Sequence, residues 1–144
     1  MKEQNYKNHI RLIPMYHGVT LLAAAVAWAL ALFYFIDAMK GEGSIKLPLI
    51  LLLATTSIVC IFFYARSFAL KAQDRAIRAE ENFRHFILSG KPLDSRLHIG
   101  QVIALRFASD EEFVALAKKA ADEQLDGKTI KTSIKNWRAD HHRA

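Results

Sequence analysis

Charged and apolar positions are segregated along this chain. From Leu12 to Ile36 there is no Asp, Glu, Lys or Arg, and the same holds from Leu47 to Ala65. A bilayer core of roughly 30 Å needs about 20 apolar residues in a helix. The runs Tyr16–Ile36 and Leu47–Tyr64 meet that length and predict two membrane helices. Summed over their Leu, Ile, Val and Phe residues, each gains roughly 3 to 7 kcal/mol on insertion. Pro14 precedes the first run, where a missing N–H costs a helix nothing. The stretch Asp37–Lys46 is short, polar and carries two glycines, and reads as the turn of a hairpin. A secretory signal is the competing reading of the first run, but the run exceeds the length of such a segment, and its small-x-small tripeptide Ala29-Leu30-Ala31 lies inside it.

The basic residues set an orientation. Lys2, Lys7 and Arg11 precede the first run; Arg66, Lys71, Arg75, Arg78 and Arg84 follow the second; Lys40 and Lys46 lie between. Eight against two places both termini in the cytoplasm. The expected architecture is an all-α membrane protein: a two-helix hairpin, a long cytoplasmic extension of the second helix, and a small helical C-terminal module. Its divisions are a cytoplasmic N-terminal segment (1–13), a first membrane helix (14–36), an extracytoplasmic loop (37–46), a second membrane helix (47–65), an amphipathic continuation (66–91) and a cytoplasmic module (92–144). Composition fits this picture. Hydrophobic residues make up 52% of 144 positions, with one cysteine, three prolines and six glycines, which excludes a disulfide scaffold, a collagen and a disordered chain.

Within the hairpin, Ala23, Ala27 and Ala31 recur four apart, and Thr55 and Thr56 lie at similar depth on the second helix. Small residues at such spacing let helices approach in lipid. The Trp28 indole N–H needs an acceptor there, and a hydroxyl of Thr55 or Thr56 is the expected one. Packing alone accounts for the same residues. Neither run contains Asp, Glu, Lys or Arg, and the one histidine, His17, lies at the edge, which argues against a channel or transporter acting alone.

No Gly or Pro interrupts Leu49–Ser89, so the second helix should continue to Gly90-Lys91-Pro92. Ala69, Ala72, Ala76, Phe83 and Ile87 line one side of this continuation, a face suited to a neighbouring helix of the same chain or of a second copy. Asp74/Arg78 and Glu80/Arg84 are spaced as i,i+4 ion pairs. Three short helices follow: one around Gln101–Phe107; one opened by the capping-box pattern Ser109-Asp110-Glu111-Glu112 and closed by Gly127; and one from about Lys128 to Ala139. This module should pack on the helix that precedes it.

The segments Phe68–Asn82, Gly90-Lys91-Pro92-Leu93-Asp94, Ile103–Ala108 with Asp110–Phe113, and Ile134–Asp140, together with Lys7-Asn8-His9, Pro14 and Tyr16-His17, resemble a family of uncharacterised bacterial two-span integral membrane proteins. The resemblance covers nearly the whole chain. It implies two membrane helices and a cytoplasmic segment in a bacterial inner membrane, and it implies no activity and no catalytic residue.

Chemistry-bearing residues are sparse. Cys60 sits in the second apolar run, far from any base. Asp140-His141-His142-Arg143 offers ligand types, but adjacent histidines diverge on a helix and a structural zinc site takes four ligands. There is no HExxH, GxSxG, CxxC or phosphate loop. The expectation is therefore no enzyme, no metal and no cofactor. Lys128, Lys131, Lys135 and Arg138 share one face if the last helix is continuous, and with the helix before it they loosely resemble a helix-turn-helix. The net charge is +6, yet after Ala65 fifteen basic residues face eleven acidic ones, and basic residues near a membrane serve anionic headgroups equally well. The functional expectation is a membrane-anchored interaction or scaffold module whose partners are the bilayer, anionic headgroups and a protein or second copy. A membrane-tethered nucleic-acid regulator and an accessory transporter subunit are the alternatives, with nucleic acid ranked below lipid.

Overall fold

Long apolar stretches free of helix breakers produce long helices, and the caps written into the sequence end them. In the computed structural model, which describes residues 4–8, 12–41 and 43–140, a π-helical stretch Met15–Thr20 leads into α1 (Leu21–Lys40). The other helices are α2 (Lys46–Ser89), α3 (Ile99–Leu105), α4 (Asp110–Asp122) and α5 (Gly127–Ser133). Among the described residues there is no strand, only an isolated antiparallel bridge between Ala108 and Trp137. The fold is all-helical, as the pattern predicts. Lys2, His9, Arg11, Glu42 and the tail His141–Arg143 lie outside the described residues.

Helix ends differ from expectation in instructive ways. α1 runs on through Asp37–Lys40 and stops at Gly41, which takes an extended conformation. Pro48 is accommodated in the first turn of α2, where its missing N–H has no intrahelical partner to lose. α2 ends where expected: Gly90 adopts a positive φ of 72°, and its N–H donates to Phe86 O at 2.8 Å. α4 closes with the Leu125 N–H donating to Ala120 O at 3.2 Å around Gln124, which is held at φ 51°. A side chain in that left-handed conformation costs about 1 kcal/mol. Gln124→Gly should therefore raise stability by about 0.5 to 1 kcal/mol in denaturant unfolding; a loss would show that the Gln124 side chain makes a compensating interaction.

The chain divides into two compact units, one of Arg11–Ala69, the other of Met1–Ile10 with Leu70–Ala144, and α2 contributes to both. In the first, the least exposed positions of α1 are Leu21, Ala24, Ala31, Leu32, Phe35 and Ala38, and those of α2 are Pro48, Leu52, Thr55, Val59 and Phe62. The α2 positions alternate steps of four and three, the spacing of a left-handed helix pair. Tyr16 ties the pair: its hydroxyl donates to Phe62 O at 2.6 Å, and its ring stacks on that of Phe62 at 4.3 Å.

The second unit has a true hydrophobic core. Leu97, Val102, Leu105, Phe107, Phe113, Ala120, Ile130 and Ile134 are buried together, with Leu93, Leu125 and Trp137 packed against them. α3 packs on both α4 and α5. Gly127 permits the α3–α5 approach, since a Cβ there would lie 3.3 Å from Gly100 O. Gln101 joins the pieces: its amide oxygen accepts from the His98 N–H at 2.7 Å, and its Nε2 donates to Leu125 O at 2.8 Å. A buried amide satisfied on both ends fixes a core without a desolvation penalty.

Candidate interaction surfaces and family

In the unit of Arg11–Ala69, the residues expected to pack the hairpin are only partly brought together. Trp28 Nε1 donates to Thr56 Oγ1 at 3.0 Å, and that hydroxyl donates onward to Leu52 O at 2.7 Å. Thr55 instead bonds within its own helix, to Leu51 O at 2.9 Å. Ala31 is buried, but Ala23 and Ala27 are exposed and Ala24 takes the inner position. The reason is geometric. Steps of four drift about 40° each around a helix, whereas alternating threes and fours stay on one side. Cys60 faces outward.

In the second unit, α2 packs on the module through the face opposite to the alanine–phenylalanine stripe. Ile77, Glu81 and His85 are buried, while Ala72, Ala76, Phe83 and Ile87 are exposed. Arg84 is the hub. Its Nε donates to Asp110 Oδ1 at 2.7 Å, Nη1 to Glu81 Oε2 at 3.0 Å and Nη2 to Ala108 O at 2.7 Å. The guanidinium also lies 4.3 Å from the centre of the Phe113 ring. The i,i+4 pairing of Arg84 with Glu80 is thus replaced by an i,i+3 pairing with Glu81, because the module draws Arg84 toward the start of α4. His85 is engaged as well: Nδ1 lies 2.7 Å from Lys91 O. Asn82 Oδ1 accepts the Leu93 N–H at 2.8 Å and turns the chain after α2.

The basic cluster has a different geometry from the expected helical face. α5 stops at Ser133, so Lys128 and Lys131 are helical, whereas Lys135, in a bend, and Arg138 lie beyond the helix. Thr132 and Ser133 turn their hydroxyls onto their own helix, to Thr129 O at 3.0 and 2.8 Å, and the β-branched Ile134 leaves it. Lys131 Nζ lies 5.8 Å from the centre of the Phe107 ring. The Arg138 backbone N–H donates to Phe107 O at 2.8 Å, and its guanidinium lies 3.8 Å from Glu81. The last helix of the loose helix-turn-helix likeness is thus seven residues long and ends before Lys135.

The capping box at Ser109 is also redirected. Ser109 makes no side-chain capping bond. The Glu112 carboxylate instead accepts the N–H groups of Lys135 and Asn136, at 3.1 and 3.0 Å, and pins the C-terminal strand-like segment. At the other end of that segment, Gln4 exchanges two bonds with the Asp140 backbone, at 2.8 and 3.3 Å. Asp140 also lies 3.3 Å from the buried Arg106. Among the described residues, no group of three or more His, Cys, Asp or Glu is placed to hold a metal.

One surface network titrates in a defined way. Hydrogen bonds from Arg96, first from its side chain and then from its backbone, pull Asp94 down to a pKa of about 2. Arg96 also reaches Asp122 at 2.8 Å, and so links the turn after α2 to the end of α4. A carboxylate with a lowered folded pKa contributes stability above its unfolded value, near 3.9, and that contribution vanishes as pH falls through the folded value. Asp94→Asn should therefore be less stable than the parent at pH 6. The difference should shrink between about pH 4 and pH 2, as followed by thermal unfolding. A gap that persists unchanged at pH 2 would contradict this.

The pieces together describe a helical unit whose side chains mostly bind one another and whose remaining free features are surfaces. A family model covers residues 1–144, described as a family of unknown function, DUF6526. The chain belongs to the DUF6526 family. No curated protein and no solved structure matches it. The uncharacterised character expected from the resemblance is therefore shown, and membership in DUF6526 assigns no activity to Arg84, Glu112 or the basic cluster.

Proposed function

We propose that this DUF6526 chain is a membrane-anchored, non-enzymatic interaction module. One observation carries the reading. Met15–Lys40 and Lys46–Ser89 are long and apolar enough to cross a membrane, yet only 11% and 6% of their most apolar windows are buried. The core helix of a soluble protein would have those windows covered. Here Leu22, Leu30, Phe33, Leu53, Ile58 and Ile61 present their side chains outward, and lipid is the solvent that stabilises such a surface. A secretory signal does not account for the second helix, which begins at Lys46. In this reading the helices form an inner-membrane hairpin with both termini cytoplasmic. Arg66 and Lys71 then sit where anionic headgroups are found, and the Leu70–Asp140 unit presents the working surface to a protein partner. The nucleic-acid alternative has less support, because Lys135 and Arg138 lie beyond the end of α5 and share no helix face with Lys128 and Lys131.

The test uses the full chain in bacterial membranes. Alkaline carbonate should leave it in the pellet. In a Cys60→Ser background, Ser44→Cys should react with an impermeant maleimide from outside, and Ser95→Cys only after permeabilisation. Release by carbonate, or labelling of both sites from one side, overturns the proposal.

A further inference from the structure

The face of α2 turned away from the module is apolar and uncovered. Ala72, Ala76, Ala79, Phe83 and Phe86 are all exposed, Phe83 at 65% and Phe86 at 53%, and Ile87, at 65%, widens the face. The five alternate in steps of four and three. That alternation keeps them on one stripe, as the a and d positions of a two-stranded coiled coil require. We infer that the occupant of this face is the same face of a second copy of this chain, running parallel; the inference deepens the interaction-module reading and names its partner.

Charge selects this occupant. With Ala76 and Phe83 at a and Ala72, Ala79 and Phe86 at d, Arg75 falls at g and Glu80 at e. Both are exposed, and neither is in an ion pair among the described residues. In a parallel pair, a g residue faces the e residue five positions later on the other helix. Arg75 of each copy then meets Glu80 of the other, twice by symmetry. In an antiparallel pair, g meets g and e meets e, which sets like charges together. Copies anchored by the same span also enter the membrane in the same sense, which enforces the parallel arrangement. The alanines let the helix axes come close, to about 8 Å, and Phe83 and Phe86 close the end of the seam.

The experiment is oxidative cross-linking of the full chain in native membranes, in a Cys60→Ser background. Cysteines at Ala79 or Ala76 should cross-link, while Lys71→Cys, on the flank, should not. Glu80→Arg or Arg75→Glu should each lower the yield at Ala79→Cys on the order of tenfold, and the combined swap should restore it. Equal yields at Ala79 and Lys71, or indifference to the charge changes, overturn the inference. So does cross-linking between Ala72→Cys and Phe83→Cys copies, which reports an antiparallel pair, where a and d positions share a layer. The same samples are extracted with carbonate. Retention without stripe cross-linking sinks only the pairing, whereas release sinks the anchored reading and leaves the cross-link pattern to decide the pairing.

Discussion

Arg84→Ala is expected to destabilise the unit that contains Leu70–Asp140 by about 3 to 5 kcal/mol. The Arg84 side chain is 10% exposed and serves three acceptors and one aromatic face at once. Its removal leaves the Glu81 carboxylate, itself 8% exposed, with only the more distant Arg138 guanidinium, at 3.8 Å, as a cation among the described residues. It also strips the side-chain donor from Ala108 O, next to the bridge with Trp137. The Asp110 share of the loss is small, because that carboxylate is 63% exposed and well solvated. Arg84→Lys should recover less than half, since one ammonium does not reach three divergent acceptors in the geometry of a guanidinium fork. Replacing Glu81 by Gln in the Arg84→Ala background should recover part of the loss, because the stranded charge is gone. Unfolding in mild detergent, read from Trp137 in a Trp28→Phe background, gives the numbers. A cost under about 1 kcal/mol for Arg84→Ala would mean that the hub is solvent-exchanged.

That hub marks the boundary of what the sequence discloses. The helices themselves are legible because they rest on local physics. Uninterrupted apolar runs specify α1 and the first part of α2, and Gly90 stops α2 because a positive φ suits glycine. Which face of α2 is covered is not legible. The stripe of Ala72, Ala76 and Phe83 is the apolar one, and pattern alone offers it equally to a neighbouring helix of the same chain and to a second copy. The module instead covers Ile77, Glu81, Arg84 and His85, since those side chains find specific partners in Asp110, Ala108 and Lys91. The same holds at Ser109-Asp110-Glu111-Glu112. A capping box satisfies two donors locally, but Glu112 satisfies two donors of a segment more than twenty residues away. The start of α4 survives the exchange because its acidic first turn suits the helix dipole without the box. In the hairpin, the Trp28–Thr56 bond is legible in kind, because an indole N–H among apolar side chains needs an acceptor. The choice between Thr55 and Thr56 depends on which hydroxyl faces α1, and residue type does not fix that. The end of α5 has a readable signal in Thr132-Ser133-Ile134, three weak helix formers in succession. Basic spacing across that break suggested a face that the backbone does not form.

Phe107→Ala is expected to cost about 3 to 5 kcal/mol, the range for truncating a buried aromatic ring. Phe107 is fully buried in the turn that follows α3, in the cluster with Val102, Phe113 and Ile130. Its ring lies 4.8 Å from that of Trp137, with the Arg106 guanidinium 4.7 Å from its centre. Its carbonyl accepts the Arg138 N–H, so the residue anchors the C-terminal segment by side chain and backbone together. Phe107→Leu keeps most of the volume and should cost about 1 to 2 kcal/mol. The two variants separate packing from anchoring. If the ring holds Trp137 in place, Phe107→Ala should red-shift its fluorescence and speed hydrogen exchange at the Arg138 N–H, which bonds to Phe107 O, and the Ser109 N–H, which bonds to Asn136 O. Exchange at Gln101 and Val102, in the first turn of α3, should change less. If all of these amides accelerate equally, the unit melts as a whole and Phe107 is a core residue like any other. Local acceleration makes residues 134–140 a separately held strap, fastened by Phe107, Glu112 and Gln4 and carrying Arg138 against Glu81 on α2.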